Sequence, residues 1–114
     1  MTLYGIKNCD TVRKARKWLE TQQLVVPFHD FREDGITTEQ ISHWVNILGW
    51  ETVFNKRSTS FRELADDQKS DLNEAKAISL MHAHPTLIKR PVLAAGDKVM
   101  VGFKEADYKA WFAL

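Results

Sequence analysis

The chain has a single cysteine, Cys9, in 114 residues. No disulfide can close within it, and an oxidising compartment would offer that thiol no partner. Nowhere does an apolar run approach eighteen residues, so a membrane-spanning helix is excluded. Neither sign of charge dominates: 16 basic against 15 acidic residues leave a net charge of +1. The large positive field that drives nucleic-acid binding is therefore absent. There is no glycine-rich phosphate loop and no G-x-S-x-G elbow, which removes support for dinucleotide binding and serine hydrolysis. Internal repeats and low-complexity stretches are missing too. Met1–Gly5 lacks a basic start followed by a long apolar run, so no signal peptide is expected and the expected location is cytoplasmic.

What is present is ordinary in bulk, with 44% hydrophobic and 27% charged residues. The length fits one compact domain, residues 1–114, large enough to fold without a disulfide or a metal. Thr2 to Ile6 is short and apolar and predicts a buried first strand. A polar turn, Lys7-Asn8-Cys9-Asp10, leads into a helical pattern with Val12, Ala15, Trp18 and Leu19 on one face. Asp10 or Thr11 is the expected cap of that helix. Val25 to Asp30 predicts a second strand, and Pro27 places it near a sheet edge.

Thr37 with Gln40 matches a capping box ahead of the stripe Ile41, Trp44, Val45 and Leu48. Residues 51–83 are charged and helical in pattern, with Leu64, Leu72, Ala75, Ile78 and Leu80 available for packing. His84-Pro85 ends that block. Two strand-like runs, Val92–Ala95 and Val99–Gly102, flank a Gly96-Asp97 turn, and Glu105–Leu114 carries aromatic residues at helical spacing. A helix between the first two strands supplies the crossover for a parallel pair, and the hairpin adds an antiparallel one. The expected fold is α/β: a thioredoxin-like, four-stranded mixed sheet with a helical insertion, about residues 36–84, before the third strand.

Chemistry concentrates at Cys9, between the first strand and the first helix. Free N–H groups and the positive end of the helix dipole meet there, and both favour an anion. Lys7 and Arg13 are close enough in sequence to add positive charge. Lowering a thiol's pKa from about 8.5 to about 6.5 raises its thiolate fraction at pH 7 roughly 25-fold. Weaker nucleophilicity takes back roughly six- to tenfold of that. The net gain is about threefold, so substrate positioning must supply more than acidity does. The bland alternative is that Cys9 is a small buried apolar residue.

Arg57 and Arg90 have the planar fork that suits carboxylates and oxyanions, though each could equally be solvated or paired with a neighbouring acid. Arg90 precedes Pro91, and a cis bond there would expose backbone beside the cysteine. His82 and His84 form an H-x-H pair at a helix end with no second cluster, so no metal site is expected. Trp18, Trp44, Trp50 and Trp111 are read as packing residues.

Three segments taken together carry a family resemblance: Tyr4-Gly5-Ile6-Lys7-Asn8-Cys9-Asp10-Thr11-Val12-Arg13-Lys14-Ala15, Asn55-Lys56-Arg57-Ser58-Thr59, and Ile88-Lys89-Arg90-Pro91-Val92-Leu93. In that order and spacing the chain resembles the arsenate reductase (ArsC) family, which includes the Spx regulators, and within it the small YffB-type members. The resemblance implies a thioredoxin-type core with a helical insertion. It puts the family's nucleophilic cysteine on Cys9, its first two oxyanion-binding arginines on Arg57 and Arg90, and its cis-proline on Pro91. The departures are specific. Where arsenate-reducing members carry a third arginine after the last strand, this chain has Val101-Gly102-Phe103-Lys104. A histidine before the cysteine is absent, and the C-x-x-C pair of oxidant-sensing Spx regulators is replaced by Cys9-Asp10-Thr11-Val12.

The resemblance and the lone thiol together imply a thiol reductase with glutathione as co-substrate and no bound cofactor. In that reading Cys9 is the nucleophile. Arg57, Arg90 and Lys104 hold carboxylates of glutathione beside Pro91, while Asn8 and the N–H groups of Asp10 and Thr11 steady the thiolate. Expected partners are glutathione or another small thiol or oxyanion substrate, with a glutaredoxin or other protein as a further candidate. Two alternatives stand beside it: weak arsenate reduction, with Lys104 in place of the arginine, and an Spx-like protein-binding regulator that needs no thiol chemistry.

Overall fold

A computed structural model describes residues 1–114. The chain divides into two compact units: Met1–Glu33 with Arg90–Leu114, and Asp34–Lys89. The first contains the sheet and the second is helical.

In the sheet unit, β1 (Thr2–Gly5) runs into α1 (Asp10–Thr21) and then β2 (Phe28–Asp30), followed by a single turn, α2 (Phe31–Asp34). After the helical unit come β3 (Val92–Ala95), β4 (Lys98–Val101) and α8 (Glu105–Trp111). The sheet order is β2-β1-β3-β4, with β1 parallel to β2 and antiparallel to β3. Helix α1 is the crossover that the parallel pair requires. Gly96, at φ +60, and Asp97 close the β3–β4 hairpin. Glycine meets that positive φ with no Cβ penalty.

The expected face of α1 holds: Val12, Ala15, Trp18 and Leu19 are all buried. Ala15, Trp18 and Leu19 form one core with Leu3, Leu93 and Tyr108. The Trp18 ring meets Tyr108 edge-on at 5.8 Å, and its indole N–H donates to Glu105 at 3.2 Å. Burial pushes the Tyr108 hydroxyl well above its ordinary value; it donates to the Gly102 carbonyl at 3.3 Å.

Two local expectations are corrected. The cap of α1 is neither Asp10 nor Thr11; the helix begins one residue earlier, with Cys9 in the capping position. The second strand is only Phe28–Asp30, because the extended residues before it reach β1 through a single bond, Leu3 N–H to the Pro27 carbonyl at 2.9 Å. Pro27 does sit at the edge, since β2 is an outer strand.

In the helical unit, α3 (Thr38–Leu48) starts on the expected capping box between Thr37 and Gln40 and buries Ile41, Trp44 and Val45. The long helical pattern that follows is broken into α4 (Trp50–Val53), α5 (Thr59–Arg62), α6 (Asp66–Lys69) and α7 (Glu74–Ala83). Local side-chain acceptors explain the breaks, because they compete with a continuing helix and open a new one. Ser58 accepts the Phe61 N–H and Asn73 accepts the Lys76 N–H. Helix α7 packs on α3 through Ala77, Leu80 and Met81, not through Ala75, which is exposed. No helix is long and apolar enough to cross a membrane.

Candidate functional site

The register of the sheet gathers most of the predicted residues at one end of the sheet unit. Tyr4 pairs with Val92, and Val92 pairs with Val101. The chain leaving β1 toward Cys9, the chain entering β3 through Arg90 and Pro91, and the chain leaving β4 toward Lys104 therefore share one end of the sheet. The Gly102 N–H donates to the Pro91 carbonyl at 2.8 Å and ties two of these segments together. The Arg90–Pro91 peptide is cis.

Cys9 is half-buried and caps α1 in position only. Its φ of −102° and ψ of 128° are extended, and its side chain accepts no cap hydrogen bond. The first helical bond runs from the Arg13 N–H to the Cys9 carbonyl at 2.9 Å. The N–H groups of Asp10, Thr11 and Val12 thus have no helical acceptor and point toward the start of the helix. Gly5 lets α1 come this close to β1, for a Cβ there would lie 2.7 Å from Cγ2 of Val12.

The cations next to Cys9 in sequence are paired with carboxylates. Arg13 pairs with Asp10, and Lys7 Nζ pairs with Glu33 at 3.0 Å. Both pairs are exposed, where such bridges contribute about 0–1 kcal/mol. Arg90 and Lys104 are in no ion pair; Arg90 is half-buried and Lys104 is exposed at the start of α8. Asn8 is exposed in the turn before Cys9.

Arg57 lies in the helical unit, in the loop between α4 and α5. Its N–H donates to Asn55 Oδ1 at 3.0 Å, and the Asn55 N–H donates to the Leu87 carbonyl at 2.8 Å. Its exposed side chain is in no ion pair. His82 and His84 are both exposed at the end of α7.

One residue outside the predicted site set organises the cysteine turn. Asp30, at the end of β2, is 4% exposed and is the one buried charged residue. Its Oδ2 accepts the Lys7 N–H at 3.1 Å, and its Oδ1 accepts the N–H groups of Arg32 at 2.7 Å and Glu33 at 3.3 Å. Burial, the largest single influence, pushes the carboxyl up. The three N–H donors and the Lys7 charge together outweigh it and hold Asp30 below its ordinary value. Asp30 therefore ties the turn that carries Asn8 and Cys9 to the end of β2. Its place at the end of an apolar run, ahead of Arg32 and Glu33, marks it as a cap in sequence, but its bond to Lys7 spans 23 positions.

Comparison with known proteins gives a consistent set. The ArsC family model matches residues 4–111. A solved structure of a YffB protein is 50% identical, covers 96% of either chain and superposes with a TM-score of 0.92. An arsenate reductase (ArsC) related protein from Brucella melitensis is 45% identical, over 99% of this chain and 94% of its own, with a TM-score of 0.78. The global transcriptional regulator Spx of Streptococcus pneumoniae is 25% identical over 97% of this chain and 84% of its own length.

Proposed function

Because this chain belongs to the ArsC family and has its thioredoxin-like mixed sheet, we propose that it is a glutathione-dependent thiol reductase acting through Cys9. The observation that carries this reading is the position of Cys9. It stands at an uncapped helix start, at the end of the sheet that also receives the Arg90–Pro91 and Lys104 segments. Unpaired N–H groups there can donate to a sulfur or an oxyanion held at the helix start.

The chemistry is a pair of thiol–disulfide exchanges. The Cys9 thiolate attacks the glutathione sulfur of a mixed disulfide, forms a Cys9–glutathione disulfide and expels the substrate as a thiolate. A second glutathione thiolate then attacks that disulfide, releases glutathione disulfide and restores Cys9. The substrate sulfur gains the electrons that the incoming glutathione loses, and a proton from solvent completes the substrate thiol. With no second cysteine in the chain, the resolving thiol must come from outside. Asn8 and the N–H groups of Asp10 and Thr11 steady the thiolate, and Arg90 and Lys104 supply charge for the carboxylates of glutathione. Arg57 enters this reading from the ArsC pattern alone.

The test is turnover of the mixed disulfide of glutathione with mercaptoethanol, in glutathione buffer with glutathione reductase. Wild-type protein consumes it, and Cys9→Ser falls to the uncatalysed rate. Full turnover in Cys9→Ser overturns the proposal. The likeness to an ArsC-related protein supports a second reading, arsenate reduction. Lys104 would then provide charge without the bidentate geometry of arginine, so arsenate-dependent oxidation of glutathione is expected to be weak. The likeness to Spx supports a binding role, in which partners retained by wild type survive Cys9→Ala.

A further inference from the structure

A groove of about 830 Å³ runs along the sheet unit between α1 and the extended segment leading into β2. Its floor is apolar, with Leu19, Leu24, Val26 and Phe28. Arg13, Arg16 and Lys17 line the α1 side, with Glu20 as the one acid. These four recur at i, i+3, i+4 and i+7, so they form one stripe on the helix. In a chain with net charge +1, three cations against one acid make this a local concentration of positive charge. Arg16 is held over the Phe28 ring, 4.2 Å from its centroid. Neither Arg16 nor Lys17 is in an ion pair. Arg13 is paired only with exposed Asp10, a contact an incoming carboxylate can exchange.

A second observation comes from the opposite wall. Val25 is 98% exposed, the most exposed large apolar side chain in the molecule. Val25 and Val26 make no main-chain hydrogen bond, although they lie outside any turn or helix and lead through Pro27 into the outer strand of the sheet. An unpaired extended segment at a sheet edge is a template for an added strand. The groove thus combines an apolar floor, open main-chain donors and acceptors, and a cationic wall.

We propose that this groove docks an extended acidic segment of a partner protein. Val26 and Phe28 pack toward the core under α1. One face of an added strand therefore meets both this apolar floor and the α1 wall, and acidic residues on that face pair with Arg13, Arg16 and Lys17. Main-chain bonds to Val25 and Val26 supply register. The proposal uses neither Cys9 nor the reaction proposed above.

The test titrates the full-length, isotope-labelled chain with a blocked decapeptide alternating glutamate and valine, read from amide chemical shifts and calorimetry. A peptide with lysine in place of glutamate and vesicles of phosphatidylglycerol are run in parallel. The expected result is saturable binding of the glutamate peptide, with shifts confined to α1 and residues 24–28. Arg16→Glu with Lys17→Glu weakens it at least tenfold. Val25→Asp, an exposed change that leaves the fold intact, also weakens it. The proposal is overturned if no shifts appear at millimolar peptide, or if the shifts fall elsewhere. Equal binding of the lysine peptide, or binding of the vesicles alone, overturns it as well.

Discussion

In the helical unit, α3, α5 and α7 each start on a side chain that accepts a first-turn N–H: Thr37, Ser58 and Asn73. In the sheet unit, α1 starts at Cys9 and α8 at Lys104, and neither side chain makes a cap bond. A cap of the usual kind contributes about 1 kcal/mol. Three of the helical unit's five α-helices are thus secured by a local side chain, while α4 and α6 start at Gly49 and Ala65 without one. The sheet unit obtains its order from a shared core under α1 and leaves the start of that helix open, where an anion can use it. The contrast is sharpest at α1: in the same unit Asp30 accepts two N–H groups of the α2 turn and serves stability, while the N–H groups at the start of α1 remain available for chemistry.

The largest expected effect tests the brace that holds the open end in place. Asp30→Ala removes the acceptor of three part-buried hydrogen bonds, from the N–H groups of Lys7, Arg32 and Glu33, and is expected to cost about 3 kcal/mol, read by urea unfolding at pH 7. The same variant should speed hydrogen exchange at the Lys7 amide and slow alkylation of Cys9 by iodoacetamide. The pH dependence has a definite sign. The folded-state carboxyl is held below its ordinary value, so its contribution is fully present above the unfolded pKa of about 3.9. It is lost as pH falls through the lower folded value. Wild type and Asp30→Asn should therefore converge in stability as the pH is lowered into that range. A gap that widens on acidification would show that the carboxylate is not the stabilising form.

Next in size is the contact that sets α1 against β1. Val12 is fully buried and β-branched, so it has little rotamer freedom in a helix. An alanine Cβ at position 5 would stand 2.7 Å and 3.3 Å from its two methyl groups, and the helix must shift to relieve the contact. Gly5→Ala is expected to cost about 2 kcal/mol, seen as a lowered Tm, and to reduce Cys9 alkylation because the helix start moves with Val12. Adding Val12→Ala should restore part of the stability. If the double variant is as impaired as the sum of the singles, the Gly5–Val12 approach is not the cause.

How much of this was readable beforehand differs between the two units for a physical reason. The buried stripe of α1, the parallel pair, the hairpin at Gly96-Asp97 and the Thr37–Gln40 capping box are local or periodic signals. All four were legible. Between residues 51 and 83 the charged helical pattern was real, but Ser58 and Asn73 divide it, and a periodicity reading has no way to weigh a cap against continuation. At Cys9 the helix start was legible to within a residue. The destinations of Lys7 and Arg13 were not, because proximity in sequence does not decide between a thiolate and a carboxylate. Asp30 is the clearest gap: its bonds to Arg32 and Glu33 are local, while the bond that matters for the cysteine turn depends on how β1 and β2 pair.

The smallest effects probe the contrast in capping directly, and they have opposite signs in the two units. Thr37→Ala and Asn73→Ala each remove a side-chain acceptor and should cost about 1 kcal/mol. Cys9→Ser does the reverse. Residue 9 already has the extended backbone of a capping residue, and a serine Oγ there can accept the N–H of Thr11 or Val12, which the thiol leaves unpaired. The substitution should raise stability by about 0.5–1 kcal/mol while it removes the nucleophile. Thermal unfolding of the three variants side by side decides the point. A stabilised Cys9→Ser beside two destabilised cap variants means that the start of α1 gives up stability to keep a thiol where N–H groups converge, the exchange expected of a working site. A destabilised Cys9→Ser would mean that the half-buried sulfur contributes more by packing than the open N–H groups forgo, and the case for an anion site at that helix start would weaken accordingly.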